Sequence, residues 1–125
     1  MGRMLGAMLI VATVAVAGAI VLSARGPAAR EIRLVTRDMT FYIEGQAEPN
    51  PTLRLRAGEK VRLVLRNDDA GMTHDFAVPE WRALTKRIEV GESASISFRA
   101  PDQPTSLGYE CRPHTAMMRG MILVE

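Results

Sequence analysis

Apolar and polar residues alternate along most of the chain beyond residue 30. In Lys60-Val61-Arg62-Leu63-Val64-Leu65-Arg66 the odd positions are apolar and the even ones mostly basic, whereas in Ser93-Ala94-Ser95-Ile96-Ser97-Phe98-Arg99 the even positions are apolar. A period of two sends successive side chains to opposite faces of a strand, so both segments are predicted as half-buried strands. Leu53-Arg54-Leu55-Arg56 predicts another, and Ala57-Gly58-Glu59 reads as a short glycine-containing hairpin connection between it and the Val61 strand. Further strands are expected near residues 31–37, 40–44, 73–78, 85–89, 106–111 and 120–125, punctuated by Gly91, Pro101, Pro104 and the stretch Asn67-Asp68-Asp69-Ala70-Gly71. No segment here carries a 3.6-residue period; Glu80-Trp81-Arg82-Ala83-Leu84 makes at most a turn or two of helix. Short strands at regular spacing predict a β-sandwich with Greek-key crossovers.

The N-terminus follows a different pattern. Residues 4–24 carry no charge and are flanked by Arg3 on one side and by Arg25 and Arg30 on the other. As a helix this run reaches about 30 Å, enough to cross a bilayer core, and it exceeds the roughly 7–15 apolar residues of a cleaved signal peptide. It is expected to be an export segment over residues 1–25, acting as an uncleaved membrane anchor; the alternative is a cleaved signal, with Ala17-Gly18-Ala19 as a small-residue cleavage site. The flanking arginines do not orient it, but the bulk of the chain follows it, as an exported domain would. The fold class predicted is therefore all-β, a Greek-key β-sandwich preceded by one N-terminal hydrophobic helix. Residues 31–125 form its single domain, facing the periplasm or cell exterior, either membrane-anchored or secreted after cleavage.

Sixteen Lys and Arg against fourteen Asp and Glu leave a formal net charge of only +2. The arginines are scattered rather than gathered on one stripe, which argues against nucleic acid as a partner. The chain has one cysteine, so an intramolecular disulfide is excluded. In an oxidising compartment such a thiol is a liability unless it is buried or holds something.

That cysteine lies in Tyr109-Glu110-Cys111-Arg112-Pro113-His114-Thr115-Ala116-Met117-Met118-Arg119-Gly120, which spaces thiolate, imidazole and thioether as C-x-x-H-x-x-x-M. Sulfur suits Cu(I) and imidazole suits both oxidation states, so a trigonal His₂Cys set with a weak axial Met lets copper change charge with little rearrangement. The second histidine must be His74, the only other one in the chain. Parity places the donors: His74 shares it with Phe76 and Val78, Cys111 with Leu107 and Tyr109, so both should point inward at one end of the core. His114 and Met118 follow in the loop before the last strand. Other readings weigh less. Structural zinc takes four Cys or His ligands and only three are present, while a binuclear copper centre needs two bridging thiolates. A nucleophilic Cys111 needs an activating base and an orienting third group; His114 is a base in range, but nothing nearby reads as a substrate pocket.

These motifs resemble the cupredoxin family of blue-copper proteins. The resemblance covers residues 31–125 in layout and 67–125 in motif: a single upstream His after an Asn/Gly-rich turn, then Tyr-x-Cys-x-x-His, then a Met two residues before a Gly that opens the last strand. The Cys111 to His114 spacing is similar to that of plastocyanin and amicyanin, and His114 through Met118-Arg119-Gly120 resembles the azurin loop. The resemblance implies a type 1 copper site with His74, Cys111 and His114 equatorial and Met118 axial. Met117 is the alternative thioether, packing beside the site or on a docking surface. Asp75 stands where many family members have Asn; ionised Asp only accepts hydrogen bonds, so the tie between ligand strands must differ. Met72 is expected either to line the copper end or to fill space, Met39 to be ordinary core or loop, and Tyr109 to pack and hydrogen-bond near a corner. Trp81 carries no readable role.

The expected function is one-electron transfer between redox partners, not enzymatic catalysis. With protein atoms on four copper positions no site stays open for water or a small-molecule substrate. His114 is the expected exit for the electron, in a loop bordered by Pro113, Ala116 and Met117 that suits transient redox partners. The alternative is a copper-binding protein that stores the metal or delivers it to a periplasmic oxidase or reductase.

Overall fold

The computed structural model describes residues 26–125. The anchor or signal expected over residues 1–25, and its hydrophobic helix, lie outside the described residues. Among the described residues no helix is long and apolar enough to cross a membrane.

Among the described residues nine strands build two sheets. The strands are β1 (Arg30–Arg37), β2 (Thr40–Ile43), β3 (Leu53–Leu55), β4 (Lys60–Asn67), β5 (Ala77–Val78), β6 (Ala83–Leu84), β7 (Ser93–Arg99), β8 (Thr105–Glu110) and β9 (Arg119–Val124). One sheet has the order β2-β1-β4-β7 and the other β3-β9-β8-β5-β6. Neighbours pair antiparallel except β1 with β4 and β3 with β9, which run parallel. The alternation read from the sequence is the burial pattern. Val61, Leu63 and Leu65 of β4 are buried, alternating with exposed Lys60, Arg62 and Arg66 and half-buried Val64, and they meet Leu107, Tyr109, Ile122 and Val124 of the opposite sheet in one core. The chain passes between sheets from β2 to β3, β3 to β4, β4 to β5, β6 to β7 and β7 to β8.

Ala57-Gly58-Glu59 is therefore not a hairpin, because β3 and β4 lie in different sheets. Leu53 and Leu55 must bury inward, as must Val61 and Leu63, and the strands do so from opposite sides of the core. The segment is an arch whose backbone is taken up by residues just past the ends of β9 and β7: the Ala57 amide donates to the Glu125 carbonyl at 2.8 Å and the Gly58 amide to the Pro101 carbonyl at 2.9 Å. Gly58 has φ +71°, a left-handed conformation that favours glycine.

The strand expected at 73–78 shrinks to Ala77–Val78, and the one expected at 85–89 is absent. In their place His74 and Ile88 form an isolated antiparallel bridge, exchanging amide-to-carbonyl bonds of 3.1 and 2.9 Å. The ladder breaks because the Thr85 hydroxyl, rather than a carbonyl, accepts the Phe76 amide at 2.9 Å. Glu80 and Trp81 fall in a single 3₁₀ turn, Pro79–Trp81, and the Trp81 ring tilts against Phe98.

Candidate metal centre

The centre begins with Asn67, the last inward position of β4 and a buried residue. Its side-chain oxygen accepts the Thr36 hydroxyl at 3.0 Å and the Asp69 amide at 2.8 Å; its NH₂ donates to the carbonyls of Met72 at 2.7 Å and Ile88 at 3.0 Å. One amide thus ties β1, the turn after β4 and the segment bridging His74. This folds residues 67–74 back over the end of the sandwich. In the sequence Asn67 opens a turn-rich stretch, and its parity with Val61, Leu63 and Leu65 is the signal that marks it as inward-facing.

His74 is fully buried, and its Nε2 lies 2.9 Å from Asp69 Oδ2. The same oxygen accepts the Met39 amide at 2.9 Å. Burial pushes the Asp69 carboxyl up, but the Met39 amide and the His74 ring outweigh it and hold the group below its ordinary value. The other ring nitrogen, Nδ1, faces Cys111 Sγ at 3.7 Å.

Cys111 follows β8, buried, with its amide donating to the Met118 carbonyl at 2.9 Å. A 3₁₀ turn at Arg112–His114, with Pro113 supplying its fixed φ, reverses the chain so that His114 returns over the sulfur. His114 Nδ1 lies 3.7 Å from Cys111 Sγ, and the two imidazoles stand 5.1 Å apart at 63°. The donor atoms of His74, Cys111 and His114 all lie within 4.8 Å of one another. Burial pushes the Cys111 thiol up, against the lowering effect of the Asp75 backbone amide.

The two methionines separate cleanly. Met118 is fully buried in the cluster that contains Cys111, its amide bonded to the His114 carbonyl at 2.9 Å. Met117 is 59% exposed, its carbonyl held by the Asn50 side chain at 3.0 Å. Met72 is also exposed, and Met39 is half-buried against the core.

Asp75 ties the two donor segments without needing a donor of its own. Its Oδ1 accepts the Arg112 amide at 2.8 Å, while Oδ2 lies 3.2 Å from Arg112 Nε and 3.6 Å from Arg87 Nε. The carboxylate is buried, and its acceptors are matched by a backbone amide and two guanidinium groups. Below the centre, Tyr109 stacks on Phe76 with centroids 5.2 Å apart, meets Phe41 edge-on at 5.5 Å, and donates its hydroxyl to the Pro51 carbonyl at 2.6 Å.

One thiol and two imidazole nitrogens converging on one buried point, with a thioether in the same cluster, fit one copper ion. Among the described residues this is the only group of three or more His, Cys, Asp and Glu close enough to hold a metal, and it lacks the fourth Cys or His of structural zinc.

The comparisons agree with this chemistry. The sequence matches the plastocyanin/azurin family of copper binding proteins over residues 49–125. Among solved structures the chain is similar to auracyanin B, with 21% identity, a TM-score of 0.62 and coverage of 81% of this chain and 92% of that one. It is similar to auracyanin A, a "blue" copper protein of the green thermophilic photosynthetic bacterium Chloroflexus aurantiacus, with 16% identity, a TM-score of 0.63 and coverage of 78% and 100%. It is also similar to the copper-containing nitrite reductase of Thermus scotoductus, with 26% identity, a TM-score of 0.58 and coverage of 78% of this chain but only 28% of that enzyme. No curated protein matches the chain. A two-sheet β fold shared with blue-copper proteins, a family match over more than half the sequence and a donor set suited to one copper ion together make this chain a member of the plastocyanin/azurin family, the cupredoxins.

Proposed function

We propose that the chain is an extracytoplasmic type 1 copper protein that carries one electron at a time between redox partners. His74 Nδ1, Cys111 Sγ and His114 Nδ1 would hold the copper, with the Met118 thioether as the weak fourth donor. Copper, when bound, supplies a Cu(I)/Cu(II) couple that a trigonal soft-donor set lets cycle with little movement. The carrying observation is that three donors converge within 4.8 Å while Met118 is sealed in the same buried cluster. Cys111 and His74 exclude water from the inner side, and the Asp75 and Asn67 networks hold the donor segments fixed, so reorganisation on charge change is small.

His114 is the half-buried member of the set and gives the electron its way out. Exposed Met117 lies beside it in the loop, and exposed Met72 lies two residues from His74. An apolar rim around one ligand edge suits a small, transient redox interface. Tethering by residues 4–24 fits this arrangement. β1 starts at Arg30 beside the start of β4, whereas the donors follow the far end of β4, so an anchor at the N-terminus leaves the metal end pointing away from the bilayer. Voltammetry of the copper-loaded protein tests the reading: a reversible one-electron wave that accompanies an intense visible thiolate band is expected. A copper-loaded protein that gave no such wave would refute electron carriage.

A further inference from the structure

The hydrogen bond between His74 and Asp69 has a chemical consequence beyond packing. An ionised carboxylate only accepts, so the ring nitrogen facing Asp69 Oδ2 at 2.9 Å must be the one that carries the proton, leaving the Nδ1 lone pair directed at Cys111 Sγ. Asp69 is itself fixed from three sides. Its amide is held by Asn67 Oδ1 at 2.8 Å, its Oδ2 takes the Met39 amide at 2.9 Å and its carbonyl takes the Met72 amide at 3.3 Å; Asp38 and Met39 sit at φ +48° and +56° in the two-residue turn between β1 and β2. Positive φ at both central residues is what a two-residue hairpin loop requires, and this turn presents the Met39 amide to Asp69. Among the described residues no lysine or arginine lies within ion-pairing distance of this carboxylate; His74 is its one such contact. Asp75, by contrast, is met by two arginines.

Building on the copper reading above, we propose that Asp69 is a positioning residue that fixes the Nε2–H tautomer of His74 and, as an uncompensated anion one ring away from the metal position, biases copper toward Cu(II). A carboxylate bonded to the far nitrogen of a ligand histidine sets ring orientation and raises its basicity. Its negative charge favours the more positive metal ion for the same Coulombic reason. The arginine-paired Asp75 has its charge locally cancelled and acts mainly as a strand tie.

Two measurements on the full-length protein test this. In the metal-free protein at mildly alkaline pH, ¹⁵N NMR should find neutral His74 in the Nε2–H form, and Asp69→Ala should release the ring into a mixture of tautomers. His74 found as Nδ1–H in the unsubstituted protein, or left unchanged by Asp69→Ala, overturns the positioning role. In the copper-loaded protein, Asp69→Asn keeps an acceptor for the ring but removes the charge. It should retain the visible thiolate band while raising the Cu(I) to Cu(II) ratio at a fixed applied potential about tenfold, about 59 mV for a one-electron couple. An unchanged or lowered potential with the band intact overturns the charge bias and leaves the copper reading standing. Absence of the band from the unsubstituted copper-loaded protein defeats the copper reading itself, and the metal-free tautomer still decides what Asp69 does to His74.

Discussion

Replacing Gly120 by alanine should strike the fold and the metal centre together. Gly120 pairs with Tyr109 across β8 and β9, and the tyrosine ring lies flat over the space where a side chain would stand. A Cβ at Gly120 would be 2.4 Å from Tyr109 Cζ and from its hydroxyl oxygen. Ordinary non-bonded carbon contacts lie at roughly 3.5–4.0 Å, so the ring must retreat by about 1 Å or more. It has nowhere to go. Phe76 is stacked on it at 5.2 Å, Phe41 abuts it at 5.5 Å, and its hydroxyl is committed to the Pro51 carbonyl at 2.6 Å. Overpacking costs about 1–3 kcal/mol. Separating a buried hydroxyl and carbonyl adds about 1–3 kcal/mol. The expected loss is therefore about 4 kcal/mol, a large part of the roughly 5–15 kcal/mol that holds a domain folded. Denaturant unfolding of the copper-free full-length protein measures it as a drop in midpoint at unchanged slope. The same substitution in a Tyr109→Ala background should cost less than about 1 kcal/mol, since the obstructing ring is gone. A cost below about 1 kcal/mol in the unsubstituted background, or equal costs in both, would refute the reasoning.

Other consequences are as direct. Met118→Leu should raise the copper potential by about 59 mV or more, a tenfold shift in the one-electron equilibrium, whereas exposed Met117→Leu should leave it nearly unmoved; voltammetry of both variants would reveal an exchange of roles. Asn67→Ala strips partners from two donors and two carbonyls and should lower stability by about 3–5 kcal/mol in denaturant, with weakened copper binding because the Asp69 and His74 segment loosens. Asp75→Asn keeps an acceptor for the Arg112 amide but turns an NH₂ toward Arg112 Nε in a buried position, and should cost about 1 kcal/mol. Asp75→Ala leaves that amide without its acceptor and should cost about 2 kcal/mol or more; equal effects of the two variants in thermal unfolding would contradict this division.

Much of this was written in the pattern of the chain. The period-two runs at 60–66 and 93–99 are β4 and β7, because one face of each turns to the core, buried in β4 and half-buried in β7, while the other is mostly solvated, the condition that favours alternation. The inward parity of Cys111 with Tyr109 is seen in their burial, whereas residues 74–78 are all buried and no alternation marks His74 there; the C-x-x-H spacing becomes one 3₁₀ turn that stacks His114 over the sulfur. Sheet membership was not legible. Ala57-Gly58-Glu59 has hairpin chemistry, and only contacts with Glu125 and Pro101, distant in sequence, make it an arch. The strand expected at 85–89 failed because the Thr85 side chain competes for a backbone amide, which residue-type patterns do not report. Asn67, Asp69 and Asp75 were undervalued for a related reason. Each looks like a turn residue or a departure from pattern, and its importance lies in which buried groups it satisfies.

The most direct test of the account is a Cu(II) titration of the full-length protein followed by visible absorption, alongside Cys111→Ser. An intense band that saturates at one equivalent of copper is predicted, with no such band in the serine variant although its sandwich still folds. Tight binding of one equivalent without the band, or a band that survives in Cys111→Ser, would contradict a copper centre built on Cys111.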